Sequence, residues 1–149
     1  MRKLLYLLWI LGIVLVSACS YDSEKAVKNG DVINMNGPVY NFPSFELFLD
    51  SVERDKPDSI RIANYTLEGE PTLYNLTFDG SSIDLEIDRS KNSNKGNDPA
   101  KFTMTCTDLI TGNGQQVLTY TLEGCDQDLF IEGFMLLTVL KEQVDEHDH

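Results

Sequence analysis

The apolar positions fall into three rhythms. From Leu4 to Val16 they run without a break, bounded by Arg2 and Lys3 on one side and small residues on the other. From Pro43 to about Arg54 they recur at helical spacing: Phe45, Phe48, Leu49 and Val52 stand at i, i+3, i+4 and i+7 and form one stripe. Elsewhere they alternate or come in short β-rich runs. Ile83-Asp84-Leu85-Glu86-Ile87-Asp88 alternates without error, so one side of that strand is apolar and the other carries three carboxylates.

These rhythms predict a short helix over Glu24–Lys28, capped by Ser23 and ended by Gly30, then short strands at Asp31–Met35 and Val39–Tyr40. After the main helix come strands at Ser59–Glu68, Thr72–Phe78, Ile83–Asp88, Phe102–Thr107 and Val117–Glu123. Leu129–Leu140 is apolar on both sides and reads as an interior strand with Gly133 as a bulge. Gly69-Glu70 reads as a two-residue type II′ hairpin loop, a register that sets Tyr65 opposite Tyr74 and Ala63 opposite Leu76. The expected fold is α+β: a mainly antiparallel sheet of about five to seven strands with one principal helix packed on one face.

The first apolar run has the length of a signal h-region and is shorter than the ~20 residues that cross a bilayer. Val16-Ser17-Ala18-Cys19 follows, and it resembles the lipobox of bacterial lipoproteins. That resemblance implies cleavage between Ala18 and Cys19 and lipid on the Cys19 sulfur; two acyl chains, at ~0.8 kcal/mol per buried methylene, anchor stably. Residues 1–18 are then a signal peptide, 19–30 a lipidated tether, 31–141 one α+β domain and 142–149 a disordered acidic tail. The expected address is the cell membrane, lipid-anchored, on the extracytoplasmic face. An ordinary secretory signal with a chance cysteine is the alternative.

Charge narrows the partners. The formal net charge of −12 becomes −14 when Arg2 and Lys3 are removed with residues 1–18, which repels nucleic acid phosphates and anionic lipid headgroups alike, so neither is an expected partner. No nucleic-acid partner is expected. The expected partners are the membrane, through lipid on Cys19, and an envelope protein, a peptide or a cell-wall ligand.

Candidate chemistry is sparse. Export places Cys106 and Cys125 in an oxidising setting, where a remaining pair usually bridges, so a disulfide is expected; free thiols or a redox pair are the alternatives, the latter disfavoured by the absence of a C-x-x-C spacing. With a turn at Gly112–Gly114, Cys106 falls opposite Tyr120 or Thr121, and Gly124 must bend the chain for the sulfurs to meet. The only histidines, His147 and His149, stand in the last three residues; they are weak metal candidates without a scaffold, and no metal site or cofactor is expected. Histidine-based catalysis finds no support, so the favoured class is a non-catalytic binding domain. Asp84, Glu86 and Asp88, spaced about 7 Å apart along one strand face, leave a second reading, a His-free hydrolase of envelope material working through carboxylates; a solvated strand face is the plainer account.

Asn29-Gly30-Asp31-Val32 with Gly37, the helix Phe45-Glu46-Leu47-Phe48-Leu49, the run from Ile60 to Pro71 and the two later cysteines are similar to the domain of unknown function family 4362, small lipoproteins of low-GC Gram-positive bacteria. The run around Tyr65 is the most specific part, and the Lys91–Asp98 loop differs from the family pattern. The resemblance implies the class and the address. It assigns no activity and no site residues.

Overall fold

A computed structural model describes residues 23–97, 99–127 and 132–145. Helix α1 (Ser23–Lys28) leads through a turn into β1 (Val32–Asn34) and β2 (Val39–Tyr40), and the principal helix α2 (Phe42–Glu53) follows. Strands β3 (Asp58–Tyr65), β4 (Pro71–Phe78), β5 (Ile83–Asp88), β6 (Lys101–Cys106), β7 (Asp108–Asn113), β8 (Val117–Glu123) and β9 (Phe134–Leu140) come next, with helix α3 (Lys141–Asp145) after them. The first six strands form one sheet in the order β2-β1-β3-β4-β5-β6, antiparallel except for the parallel β1–β3 pair; β7-β8-β9 form a second, antiparallel sheet. The α+β class holds. The described strands nevertheless divide between two sheets, where the hydrophobic pattern suggests one.

Helix α2 forms where the stripe places it, with Pro43 in its first turn, where a missing N–H costs nothing. Asn41 caps its start in the left-handed region, φ 59°, and its amide donates to the Asp31 carbonyl at 3.1 Å. Phe42, Phe45 and Phe48 are fully buried, with Leu49 and Val52 packed at the margin. Phe45 meets Tyr120 of β8 edge-on at 4.9 Å, and Tyr74 of β4 meets Phe134 of β9 at 5.4 Å. Helix and second sheet therefore share one core with the even-numbered side of β3 and β4 and the isoleucines and leucine of β5.

The β3–β4 hairpin departs from the expected register. Tyr65 is the last paired residue, opposite Pro71, and Thr66 N donates to Glu70 O at 3.0 Å, so the loop is Leu67–Gly69 with Gly69 at φ 80°. A three-residue loop with glycine in the left-handed region replaces the two-residue turn. The slip is three residues, an odd number, so Tyr65 and Tyr74 end on opposite faces: Tyr74 faces the main core, while Tyr65 joins Ala26, Ile33 and Ala63 in a small cluster under α1.

Two further differences lie in the second half. Residues 108–113, which lie between two expected strands with the turn expected at Gly112–Gly114, form β7, and the true turn is Gly114–Val117. The irregularity in β9 is at Leu136 and not at Gly133: Tyr120 pairs with Leu137 and Thr121 with Met135, so Leu136 is the extra residue. That bulge turns two consecutive leucines, Leu136 and Leu137, into the core. Residues 129–131, the start of the expected strand, lie outside the described residues.

Where the sequence suggests tail from residue 142, helix α3 stands instead. Val144 packs against the core, and Gln143 Oε1 accepts from Val39 N at 3.4 Å.

Candidate functional site

The odd-numbered side of β3 and β4 and the even-numbered side of β5 turn away from the main core, and register stacks them into rows. Ser59, Thr77, Asp84 and Thr105 make one; Arg61, Asn75, Glu86 and Thr103 the next; Ala63, Leu73, Asp88 and Lys101 the third. Helix α1 covers only the third row's apolar end, through Ala26. The rest is a polar surface with a groove of about 570 Å³, floored by Asn75, Glu86, Thr103 and Asp84 and walled by Asp126 and Gln127.

The disulfide builds that wall. Cys106 and Cys125 are bonded at 2.06 Å. Their pairing continues the β7–β8 register, in which Asp108 faces Glu123, two residues beyond the sheet. A turn at Gly112–Gly114 misplaces this register, because residues 108–113 are themselves strand β7 and the turn lies at Gly114–Val117. Gly124 does bend the chain, at φ 62°, and a Cβ there would stand 2.2 Å from Thr107 Oγ1. Asp126 then lies along the open edge of β6: its N–H donates to Thr105 O at 2.9 Å, and Thr105 N–H donates back to Asp126 Oδ1 at 3.0 Å.

The carboxylates of the strand face are held apart by neighbours. Thr105 Oγ1 donates to Asp84 Oδ1 at 2.7 Å, Asn75 Nδ2 to Glu86 Oε1 at 3.2 Å, and Lys101 Nζ bridges Glu86 at 3.3 Å and Asp88 at 3.2 Å. Burial raises the Asp88 carboxyl, but hydrogen bonds from Ser90 and Lys101 outweigh it, and its pKa lies below the ordinary value. Lys101 is pushed upward by its bonds to Asp88 and Glu86. At the other edge, the buried Asp31 receives Arg61 through two bonds, Nε to Oδ1 at 3.0 Å and Nη2 to Oδ2 at 2.8 Å.

Of the residues singled out in the sequence, Asp84 and Glu86 line the groove and Asp88 lies beyond it, tied to Lys101. Cys106 and Cys125 form the bridge. Ala18, Cys19, His147 and His149 lie outside the described residues. Among the described residues no group of three or more His, Cys, Asp or Glu is arranged to hold a metal ion, and no helix is long and apolar enough to cross a membrane. The hydroxyl and amide lining, Asn75, Thr77, Thr103 and Thr105, went unrecognised, although Phe102-Thr103-Met104-Thr105-Cys106 alternates in the same way as β5. Asp126 and Gln127 carried no periodic signal; only the bridge places them.

Residues 29–101 match the family described as Domain of unknown function (DUF4362). This stretch of the chain belongs to the family. No curated protein and no solved structure matches the chain at a significant level. The DUF4362 match spans β1 to β5, α2 and the first residue of β6. It thus contains Asp84, Glu86, Asp88, Asn75 and Arg61, and ends before Thr103, Thr105 and Asp126. The groove straddles its boundary.

Proposed function

We propose that the protein is a membrane-anchored lipoprotein of the extracytoplasmic face whose domain is a non-catalytic binding module, with the open side of the six-stranded sheet as its ligand seat. The observation that carries the binding reading is the groove: hydroxyl, amide and carboxylate groups spread over three adjacent strands, each carboxylate of β5 already hydrogen-bonded. Such a surface suits a peptide or a cell-wall component rich in amino and hydroxyl groups, recognised by hydrogen bonds and charge. The anchor rests on Arg2-Lys3, the apolar run and Val16–Cys19, and the Cys106–Cys125 bridge agrees with an oxidising address.

A photo-crosslinking residue at exposed Thr103, in intact cells, tests the seat against one at exposed Leu47 on α2. The expected result is a discrete adduct from position 103 that position 47 does not give. Identical adducts from both positions, or none from 103, overturn the reading. One observation favours the hydrolase alternative: Asp84 and Asp126 both bond to Thr105, which brings two carboxylates to one residue. Turnover of envelope material that Asp84→Asn and Asp126→Asn each abolish would establish that alternative and displace the binding role.

A further inference from the structure

The end of the molecule formed by the β3–β4 loop carries Leu67, 91% exposed, the most exposed large apolar side chain among the described residues. Segment 89–97 lies against this loop. The Glu70 carboxylate accepts from Ser93 N at 3.0 Å, from Ser93 Oγ and from Asn94 Nδ2 at 3.4 Å, while Asn92 Nδ2 donates to Thr72 Oγ1 at 3.3 Å. Segment 89–97 contains Arg89, Lys91 and Lys95 and is bounded in sequence by Asp88, which Lys101 holds, and by Asp98. Lys91 is exposed and Lys95 half-buried. The nearby acids on the loop are Glu68 and Glu70, the second already engaged by Ser93 and Asn94.

The described chain begins at the same end. Ala26 of α1 packs with Ile33, Ala63 and Tyr65, and Tyr65 is the last residue of β3, next to the loop. After α1 the chain folds back, Asp31 N donating to Ala26 O at 3.0 Å, into β1, which runs parallel to β3 and toward the loop. The helix therefore has its N-terminus on the loop side, with Ser23 three residues, ~4.5 Å, beyond Ala26. Cys19 stands four residues before Ser23, at most ~14 Å of extended chain.

We propose that this end docks on an anionic lipid bilayer, with Leu67 entering the boundary between headgroups and acyl chains and Lys91 and Lys95 meeting lipid phosphates. The proposal rests on the lipoprotein reading, since lipid on Cys19 is what brings this end within reach. The net charge of the whole domain opposes an anionic surface, but at ~10 Å screening length only the charges of the docking end act at contact. Each lysine near such a surface is attracted. The groove row Thr77, Asp84 and Thr105 lies at the opposite end of the strands, so a docked domain keeps it open to partners.

The test uses full-length lipidated protein reconstituted into vesicles of phosphatidylcholine and phosphatidylglycerol with brominated acyl chains. Trp9 is the chain's single tryptophan and departs with the signal, so Leu67→Trp introduces one fluorophore. Bromine is expected to quench it about twofold or more, as for a side chain ~5–10 Å deep, and to leave Lys56→Trp, before the far end of β3, unaffected. Lys91→Glu with Lys95→Glu, or replacing phosphatidylglycerol by phosphatidylcholine, should reduce the quenching. No quenching at position 67, or equal quenching at 56, in protein that still sediments with the vesicles overturns the docking and leaves the anchor standing. Quenching indifferent to both charge changes overturns the anionic surface as partner. Wild-type protein that does not sediment with vesicles overturns the anchor, and the docking with it.

Discussion

Arg61 on β3 grips Asp31, the residue before β1, through two bonds of 3.0 and 2.8 Å, and so clamps the chain at the entry to the parallel pair β1–β3. The carboxylate side chain is 6% exposed and the guanidinium 34%. Arg61→Met leaves a buried charge without its fork of donors and should cost about 2–3 kcal/mol, the partial exposure of the arginine keeping it at the lower part of the range for such pairs. Arg61→Lys, which cannot make both bonds in one plane, should recover less than half of the loss. Urea melts measure both; a change below about 0.5 kcal/mol for Arg61→Met would show that the clamp carries no stability.

The bridge between Cys106 and Cys125 should contribute roughly 3 kcal/mol, the chain-entropy value for a loop with a sequence separation of 19. Cys106→Ser with Cys125→Ser should lower the thermal midpoint accordingly. Because Asp126 is held on β6 just beyond the bridge, the double variant should also lose crosslinking at the groove. Alkylation of both cysteines without prior reduction would contradict the bridge itself.

Acid should reveal the Lys101–Asp88 pair. Asp88 has a folded-state pKa below its ordinary 3.8, so its stabilisation is present above that value and is lost as pH falls through the lower folded value. Lys101, raised above 10.5, acts with the opposite sign: its share is complete below 10.5 and disappears as pH rises through the higher folded value. Asp88→Asn should therefore be less stable than wild type at pH 7, and the difference should close as pH falls below 3.8 and wild-type Asp88 is itself protonated. Denaturant midpoints of the two proteins across that range check it; a constant gap would place the effect elsewhere.

Stopping the chain after Leu140 removes Val144 from the core margin and Gln143 from Val39 N. Lys141 N–H also leaves Gln116 O, so the truncation should cost about 1–3 kcal/mol, from one partly buried valine and two hydrogen bonds. Stopping it after Asp145 should cost nothing measurable. Leu136→Ala, at a core position 3% exposed, should cost about 2–5 kcal/mol. Calorimetry of the three variants ranks them, and a truncation after Leu140 as harmless as one after Asp145 would remove α3 from the account of stability.

What could be read from the sequence followed the strength of each local period. The α2 stripe and the alternation of β5 were legible because burial on one side imposes them directly. The polar side of β5 was legible for the same reason, and with it half of the groove. The β3–β4 register was not, since Gly69 serves a two-residue or a three-residue loop equally well and tertiary packing, with Tyr74 on Phe134 and Tyr65 against Ala26 and Ile33, selects between them. Strand β7 was hidden because Leu109 and Ile110 are adjacent and Gly112 interrupts the run; it is an edge strand with little burial to impose a pattern. Asp126 and Gln127 belong to no period at all, and a covalent bond distant in sequence positions them.

The division into two sheets also sets an order of events. Leu76, Leu85 and Ile87 belong to strands completed by residue 88, whereas Phe134, Leu136, Leu137 and Val139, which share their core, come from the last strand. During synthesis the first sheet emerges with an apolar side that nothing later than α2 yet covers, and its cover stays incomplete until β9 follows, forty-odd residues after β5. A chain in that condition is adhesive. The same exposure would be permanent in a fragment cut at residue 101, where the family match ends: β5 would also lose β6 and present an unpaired edge beside the bare apolar side. The unit that is matched is shorter than the unit that can fold.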